Sequence, residues 1–397
     1  MAQLRVFNVG HGETMFLHLD NHVDVIRDLG RSKYAIPTDT SISIDRVLEC
    51  CHYRFCFHPF QKEPTDTVLS HAHEDHFNGF IIIHKEGFRK IFRNSYIPWL
   101  DFNTVNSLGG QILKLSLYLY TYLNLNHPVG IKIKNWILIA PILLELSKRL
   151  YGVCSGYNIT NWQPVGQILW PPPPAHNYYS NKVTNISNRI SEIENNINDP
   201  ELIADFTKHI YEPIFSNLKR IYPEKSDGYT LNENIENTGV DIITERLDQT
   251  ESFRQRFGQA RIKTGTILSH TWTLDDHSLV FQLAENSTPT SLFLSDLTAK
   301  RIDQMLSLNN LSNIEYNLIK SAHHGTRFSN KLMRNNITAK QILHCCGPAH
   351  PNWYGPNDQY SNISSDIICT DWKNNSTRWP AIRNSRIFKR CCEGFAI

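Results

Sequence analysis

The segment Ser70-His71-Ala72-His73-Glu74-Asp75-His76 constrains this chain more than any other feature of its sequence. His71, His73, Asp75 and His76 crowd into six residues directly after the β-rich run Thr67-Val68-Leu69. Imidazole and carboxylate are the ligand set of zinc, and also suit manganese or iron. A short strand feeding a tight loop can aim all four side chains at one or two such ions. His71 and His73 can share one ion, leaving Asp75 and His76 to face a second. Glu74 is expected to point away, and Asn78-Gly79 reads as a turn that follows the loop.

The remaining sequence must bury strands around that loop. A chain of 397 residues can form one large domain with a sizeable core. With 41% hydrophobic and 20% charged residues it reads as globular rather than disordered. The net charge of +2 gives no argument for charge-driven nucleic-acid binding, although a local basic patch is compatible with it. Nine cysteines include three adjacent Cys-Cys pairs and no C-x-x-C pair. Such pairs are poor disulfide frameworks, and free thiols in a reducing, cytoplasmic setting are the expectation. The start shows no basic stretch followed by an apolar one, and no apolar run reaches the ~18 residues of a membrane span.

Along the chain, residues 3–9, 14–19 and 23–26 read as opening strands joined by glycine turns. Residues 111–125 and 136–150 carry apolar side chains at helical spacing, the second ending on Lys148 and Arg149. The run Pro171–Pro174 breaks any regular element and marks a boundary. From about 180 to 260 isoleucines recur at helical spacing among polar residues, as at Ile186, Ile190, Ile193 and Ile197. This predicts a helical insertion over 100–265, usable as a cap or as a docking arm for a protein partner. Strand patterning returns at Ser278–Leu283 and Ser291–Leu294, and residues 314–319 are helical or extended.

H-x-H-x-D-H after a short strand resembles the signature of the metallo-β-lactamase superfamily. Other features follow in that family's order. Val6-Phe7-Asn8-Val9-Gly10-His11-Gly12-Glu13 resembles the opening of one branch, which includes the soluble hydrolase-like domain of bacterial DNA-uptake channels. Asp28-Leu29-Gly30, Asp275-Asp276-His277-Ser278-Leu279-Val280, Phe293-Leu294-Ser295-Asp296 and Lys320-Ser321-Ala322-His323-His324-Gly325-Thr326 match later motifs in whole or part. The likeness covers roughly 1–100 and 265–350. It implies an α/β fold, an αββα sandwich forming a single domain over 1–397 with the helical insertion inside it. It implies one or two zinc ions, with manganese or iron as alternatives. The ligands would be His71, His73, Asp75, His76, Asp296 and His323, with Asp296 bridging.

The same likeness implies catalytic roles for Asp75 and His324, hydrolysis by metal-activated water, and a phosphodiester substrate, nucleic acid among the options. Carboxylic ester, lactone or thioester hydrolysis is the alternative, and a non-catalytic metal-binding sensor a further one. Many superfamily members add a histidine as third ligand of the first ion. His176 and His270 are the candidates here, neither in a convincing context. Arg327, Lys331 and Arg334 flank the His-His-Gly turn and could meet a phosphate. His350 could face the mouth of the site, and Trp353, Tyr354, Trp372 and Trp379 could stack on bases.

Overall fold

A computed structural model describes residues 2–7, 9, 12–31, 65–123, 128–222, 229–233, 238–257, 274–346, 357–370, 386–387 and 392–396. The alternation read from the first residues becomes β1 (Gln3–Phe7), β2 (Thr14–His18) and β3 (Asp24–Leu29), an antiparallel meander. Leu4, Val6, Met15, Leu17 and Val25 point into the layer between two sheets, while Phe7, Phe16 and Ile26 pack on the opposite face. That is the period of two expected when both faces of a sheet are covered. The remaining strands are β4 (Thr65–Val68), β5 (Phe92–Pro98), β6 (Ser147–Val153), β7 (Asn158–Ile159), β8 (Val165–Trp170) and β9 (Tyr229–Glu233). They continue with β10 (Val280–Glu285), β11 (Thr288–Phe293), β12 (Ile314–Lys320), β13 (Ile337–His344), β14 (Asp366–Cys369), β15 (Arg386–Ile387) and β16 (Cys392–Ala396).

These strands form two eight-stranded sheets, ordered β16-β1-β2-β3-β4-β5-β6-β9 and β15-β14-β13-β12-β11-β10-β8-β7. Both are mixed: β3 to β6 run parallel in the first, and β11 to β15 in the second. Apolar side chains such as Val68, Phe281, Leu283, Phe293, Leu318 and Leu343 fill the space between the sheets. Residues 314–319, left open between helix and strand, are extended.

Helices cover the outer faces. Against the first sheet pack α1 (Glu74–Lys85) and, beyond α2 (Leu108–Tyr122), α3 (Pro128–Leu146); α2 joins α4 (Asn177–Ile197), α5 (Pro200–Phe206), α6 (Glu212–Ile221) and α7 (Val240–Phe257) in an outer helical layer. On the second lie α8 (Ala299–Leu308) and α9 (Asn330–Arg334). The helical stretch expected over 100–265 is therefore interrupted: β6, β8 and β9 fall inside it and belong to the two sheets. Lys148 and Arg149 sit in β6 rather than at a helix end, because α3 stops at Leu146 and the chain turns straight into pairing with β5.

Asn78 and Gly79, read as a turn, lie inside α1. The reason is tertiary. A Cβ on Gly79 would lie 2.4 Å from Leu29 Cγ, so the glycine lets α1 settle on the end of β3. Asn78 clamps the same junction, accepting from Arg31 N at 3.1 Å and donating to Arg31 O at 2.6 Å. Among the described residues, no helix is long and apolar enough to cross a membrane. Cys154, Cys345, Cys346 and Cys369 are buried.

Candidate metal centre

The sequence motif is split between a loop and a helix. His71 and His73 follow β4 in extended backbone, His73 takes the N-cap position, and Asp75 and His76 occupy the first turn of α1. Two neighbouring carboxylates join them from other segments: Asp275, in a helical turn ahead of β10, and Asp296, just after β11. His323 and His324 follow β12. His71, Asp296 and the His323-His324 pair thus stand beyond the C-terminal ends of their strands, where loops on a rigid sheet edge commonly carry function.

Two groups of ligand atoms result. His71, His73, Asp275 and Asp296 form one buried group, and Asp75, His76 and His324 form a second, the atoms of each lying within 4.8 Å of one another. His71 Nε2 lies 3.5 Å and His76 Nε2 3.7 Å from Asp296 Oδ2, so Asp296 stands between the groups. His73 Nδ1 is 3.2 Å from Asp275 Oδ1, and His324 Nε2 is 3.0 Å from Asp75 Oδ2. Ligands held tetrahedrally at the usual zinc bond lengths are about 3.4 Å apart, which these separations approach. His71 Nε2, His76 Nε2, Asp275 Oδ1 and Asp296 Oδ1 are buried and have no hydrogen-bond partner among the described residues. Leaving so many buried polar atoms unsatisfied is costly, and a cation between them removes the cost. The donor set is therefore one that could hold a metal ion.

A third group, Glu13 with His76 and Asp296, is less suited. Glu13 is fully buried but already ion-paired with both Arg27 and Lys320. It neutralises the cations beneath the site.

Outer contacts fix the ligands. Asp28 accepts from Ser70 N at 2.7 Å and Ser70 Oγ at 2.8 Å, and its Oδ2 lies 3.0 Å from His76 Nδ1. One carboxylate thus holds the loop and aims the imidazole, leaving Nε2 for the cluster. Asp28 adopts φ 51, a left-handed backbone unusual for aspartate, which this set of contacts supports. Gly30 explains the other half of the Asp-x-Gly motif. A Cβ there would lie 2.3 Å from His76 N, because the start of α1 passes directly over it. His324 Nδ1 faces the carbonyl of Cys345 at 2.7 Å, so it carries the proton and directs Nε2 toward Asp75. His323 Nδ1 faces Thr326 Oγ1 at 2.6 Å, and that hydroxyl donates to His323 O. Tyr360 buttresses this turn, its hydroxyl accepting from Ala322 N and donating to Arg327 O.

The charges fit a cation site. Burial drives the His71 imidazole down to about 3 and His73 well below its ordinary value, so both are neutral donors at neutral pH. Burial opposes ionisation of Asp296, but His71, His76 and His323 around it hold it well below the usual carboxylate range. Burial likewise disfavours a charged His76, yet Asp296, Asp28 and Asp75 push it up to about 10. Burial and the neighbouring Asp296 raise Asp275 against the pull of Arg327. A proton thus sits where excess negative charge collects.

The structure brings together His71, His73, Asp75, His76 and Asp296 as sought. It places His324, rather than His323, in the group with Asp75 and His76; His323 Nε2 lies 3.9 Å from Asp296 Oδ2 and its side chain is 23% exposed. The sequence pair could not be resolved because both residues take positive φ, 47 and 57, which brings their rings to 5.7 Å of one another instead of onto opposite faces as in an extended chain. Asp275 was missed as a ligand, since a histidine was sought. Its available signal was a pair of carboxylates, Asp275-Asp276, leading into an apolar strand. His176 instead caps α4, its Nδ1 accepting from Tyr178 N at 3.0 Å. Asp296 is not a helix cap, because Thr298 holds that position before α8. Arg327 binds Asp275 Oδ2 at 2.7 Å and the carbonyl of Asp296, Lys331 binds Ser307, and Arg334 is exposed. His270, His350, Trp353, Tyr354, Trp372 and Trp379 lie outside the described residues. No family model matches the chain, and no curated protein matches it.

Proposed function

We propose that this chain is a metal-dependent hydrolase of the metallo-β-lactamase fold. The first ion would be held by His71, His73 and Asp275, the second by Asp75, His76 and His324, with Asp296 shared. The observation that carries this reading is the convergence of buried nitrogen and oxygen atoms, without hydrogen-bond partners among the described residues, from separate segments of the chain on one point. Bound there, zinc or a similar divalent ion supplies Lewis-acid activation of water and of the scissile group.

The protein's own residues have separable tasks in this reading. Asp28 and Ser70 orient His76, and the Cys345 carbonyl orients His324. Asp75, with its carboxylate ionised beside His324, accepts a proton from the attacking water or orients it. His323, on the more open side of Asp296 with its Nδ1 proton held by Thr326, lines the side from which a leaving group departs rather than ligating the second ion. This exchanges the roles expected of the two histidines from sequence. A phosphodiester is the first substrate class, on the strength of the sequence resemblance.

Hydrolysis of bis-nitrophenyl phosphate by zinc- or manganese-loaded protein tests this reading, beside an Asp75→Ala/His76→Ala variant. Metal-dependent turnover lost in the variant supports it. Turnover of nitrophenyl acetate alone would move the reading to carboxylic esters, and turnover of neither would remove the hydrolase reading.

A further inference from the structure

Asp275 reaches the first group of ligands from the short turn Leu274–His277 rather than from a strand end. His277 N on Leu274 O at 3.1 Å and Ser278 N on Asp275 O at 3.0 Å close that turn. Leu274 and His277 also line a narrow cleft beside His71, otherwise largely apolar and walled by Trp136 and Ala140 of α3. An apolar wall cannot set the direction of a carboxylate. Asp275 Oδ2 takes Arg327 Nη2 at 2.7 Å, while Oδ1 faces His73 and has no hydrogen-bond partner among the described residues. Asp275 and Asp296 offer ligand atoms within 4.8 Å of each other. Two carboxylates so close repel until a proton or a cation lies between them. The turn therefore has to be held against that repulsion from behind.

The hold is Asp276, whose side chain leaves the turn on the other side. Its Oδ2 takes Lys182 Nζ at 2.7 Å and Arg301 Nε at 3.0 Å, and its Oδ1 accepts from Thr298 Oγ1 at 2.8 Å. Its backbone carbonyl accepts from Trp170 Nε1 at 2.8 Å and Tyr178 Oη at 3.2 Å. Lys182 and Tyr178 stand four residues apart on one face of α4, so a single helix of the inserted stretch grips both the carboxylate and the carbonyl of this residue. The Lys182 and Asp276 side chains are only 13% and 11% exposed, which makes the pair more constraining than a surface ion pair. The Tyr178 ring packs beneath the same cations, 4.9 Å from Arg301 Cζ and 5.9 Å from Lys182 Nζ, and stacks on His277 of the turn.

We infer that α4 belongs to the scaffold of the metal centre: Lys182 and Tyr178 are positioning residues that hold Asp276 so that the adjacent Asp275 carboxylate stays aimed at the first ion. This rests on the metal-dependent reading above and deepens it. Neither residue touches the ion. Each acts through the turn, as contacts behind a ligand do when they fix its direction before the metal arrives.

The test is calorimetric zinc titration of the full chain with one group disabled at a time: His324→Ala leaves the first group, and Asp275→Ala leaves the second. In the His324→Ala protein, adding Lys182→Met is expected to weaken zinc binding about tenfold, the usual cost of losing a contact behind a ligand. Asp276 keeps Arg301 and Thr298 in that variant, so no buried carboxylate is stranded. In the Asp275→Ala protein the same change should shift affinity by less than about twofold, because the second group comes from α1 and the turn after β12. Lys182→Arg keeps a cation on the carboxylate and is expected to restore the first group's affinity. Tyr178→Phe removes only the hydroxyl at the Asp276 carbonyl; it is expected to cost about threefold at the first group and gives a reading if the lysine variant misfolds. Unchanged affinity at the first group in folded Lys182→Met and Tyr178→Phe proteins would overturn the inference and leave the metal centre standing. Equal losses at both groups, or no recovery with arginine, would also overturn it, since either marks a general loss of fold. A chain that binds no zinc before any substitution would remove both this inference and the reading beneath it.

Discussion

The two walls of the cleft are built on opposite principles. The strand-end wall is polar, largely buried and held by carboxylates and backbone, from Asp28 on Ser70 and His76 to Arg327 on Asp275. The α3 wall is apolar, lined by Leu100, Phe102, Trp136 and Ala140. A polar wall of this kind is stable only when each donor and acceptor is satisfied, so its identity is fixed by whatever completes it. An apolar wall is satisfied by shape alone and can change its residues without losing the fold. Chemistry is therefore expected to sit on the first wall and choice of substrate on the second. Substitutions on one wall should leave the other's property unchanged.

The largest effect is expected from the shared ligand. Asp296→Ala should abolish tight binding at both ions and lower metal-dependent turnover by about a thousandfold or more, read by zinc titration and initial rates. Full turnover in that variant would break the division between walls. Next comes the residue behind the ligand. Asp28→Asn removes the carboxylate from His76, and zinc affinity should fall by about 10- to 100-fold, as for other outer contacts to metal-bound histidine.

Changes confined to the apolar wall should leave metal binding intact, whatever they cost in stability. Trp136→Ala is expected to destabilise the fold by about 3–5 kcal/mol in denaturant titration, as for other large-to-small core changes, while metal stoichiometry is retained. Loss of zinc from a Trp136→Ala protein that is still folded would show the walls to be coupled.

A smaller effect concerns pH. Burial, and then the charge of Lys320, hold His344 at about 3 against an ordinary value of 6.5. Its folded pKa is depressed, so the stability linked to its neutral form is complete above about pH 6.5 and is lost as pH falls toward about 3. Between pH 6.5 and 5 this amounts to about 2 kcal/mol. His344→Gln should flatten stability over that interval, measured by denaturation at each pH. An unchanged slope would assign the acid sensitivity to other buried histidines.

The polar wall was largely legible in the sequence, because its chemistry demands particular residue types in particular order. His71, His73, Asp75, His76 and Asp296 could be named from spacing after strands and from family order. What failed there failed for geometric reasons. Asp275 was passed over because a carboxylate can stand where an imidazole was sought, and the ring directions of His323 and His324 depend on two left-handed residues in succession. Asn78-Gly79 carries turn propensity, but the close approach of α1 to Leu29 overrides it. The apolar wall was not legible. Leucines and isoleucines at helical spacing say that α2 and α3 are buried, not what they are buried against.

Native mass spectrometry of zinc-loaded protein tests the central claim most directly. The account predicts two zinc ions per chain in the unaltered protein, one in Asp275→Ala and one in His324→Ala. A wild-type chain that retains no zinc would contradict it, as would a His324→Ala protein that keeps both ions while His323→Ala loses one.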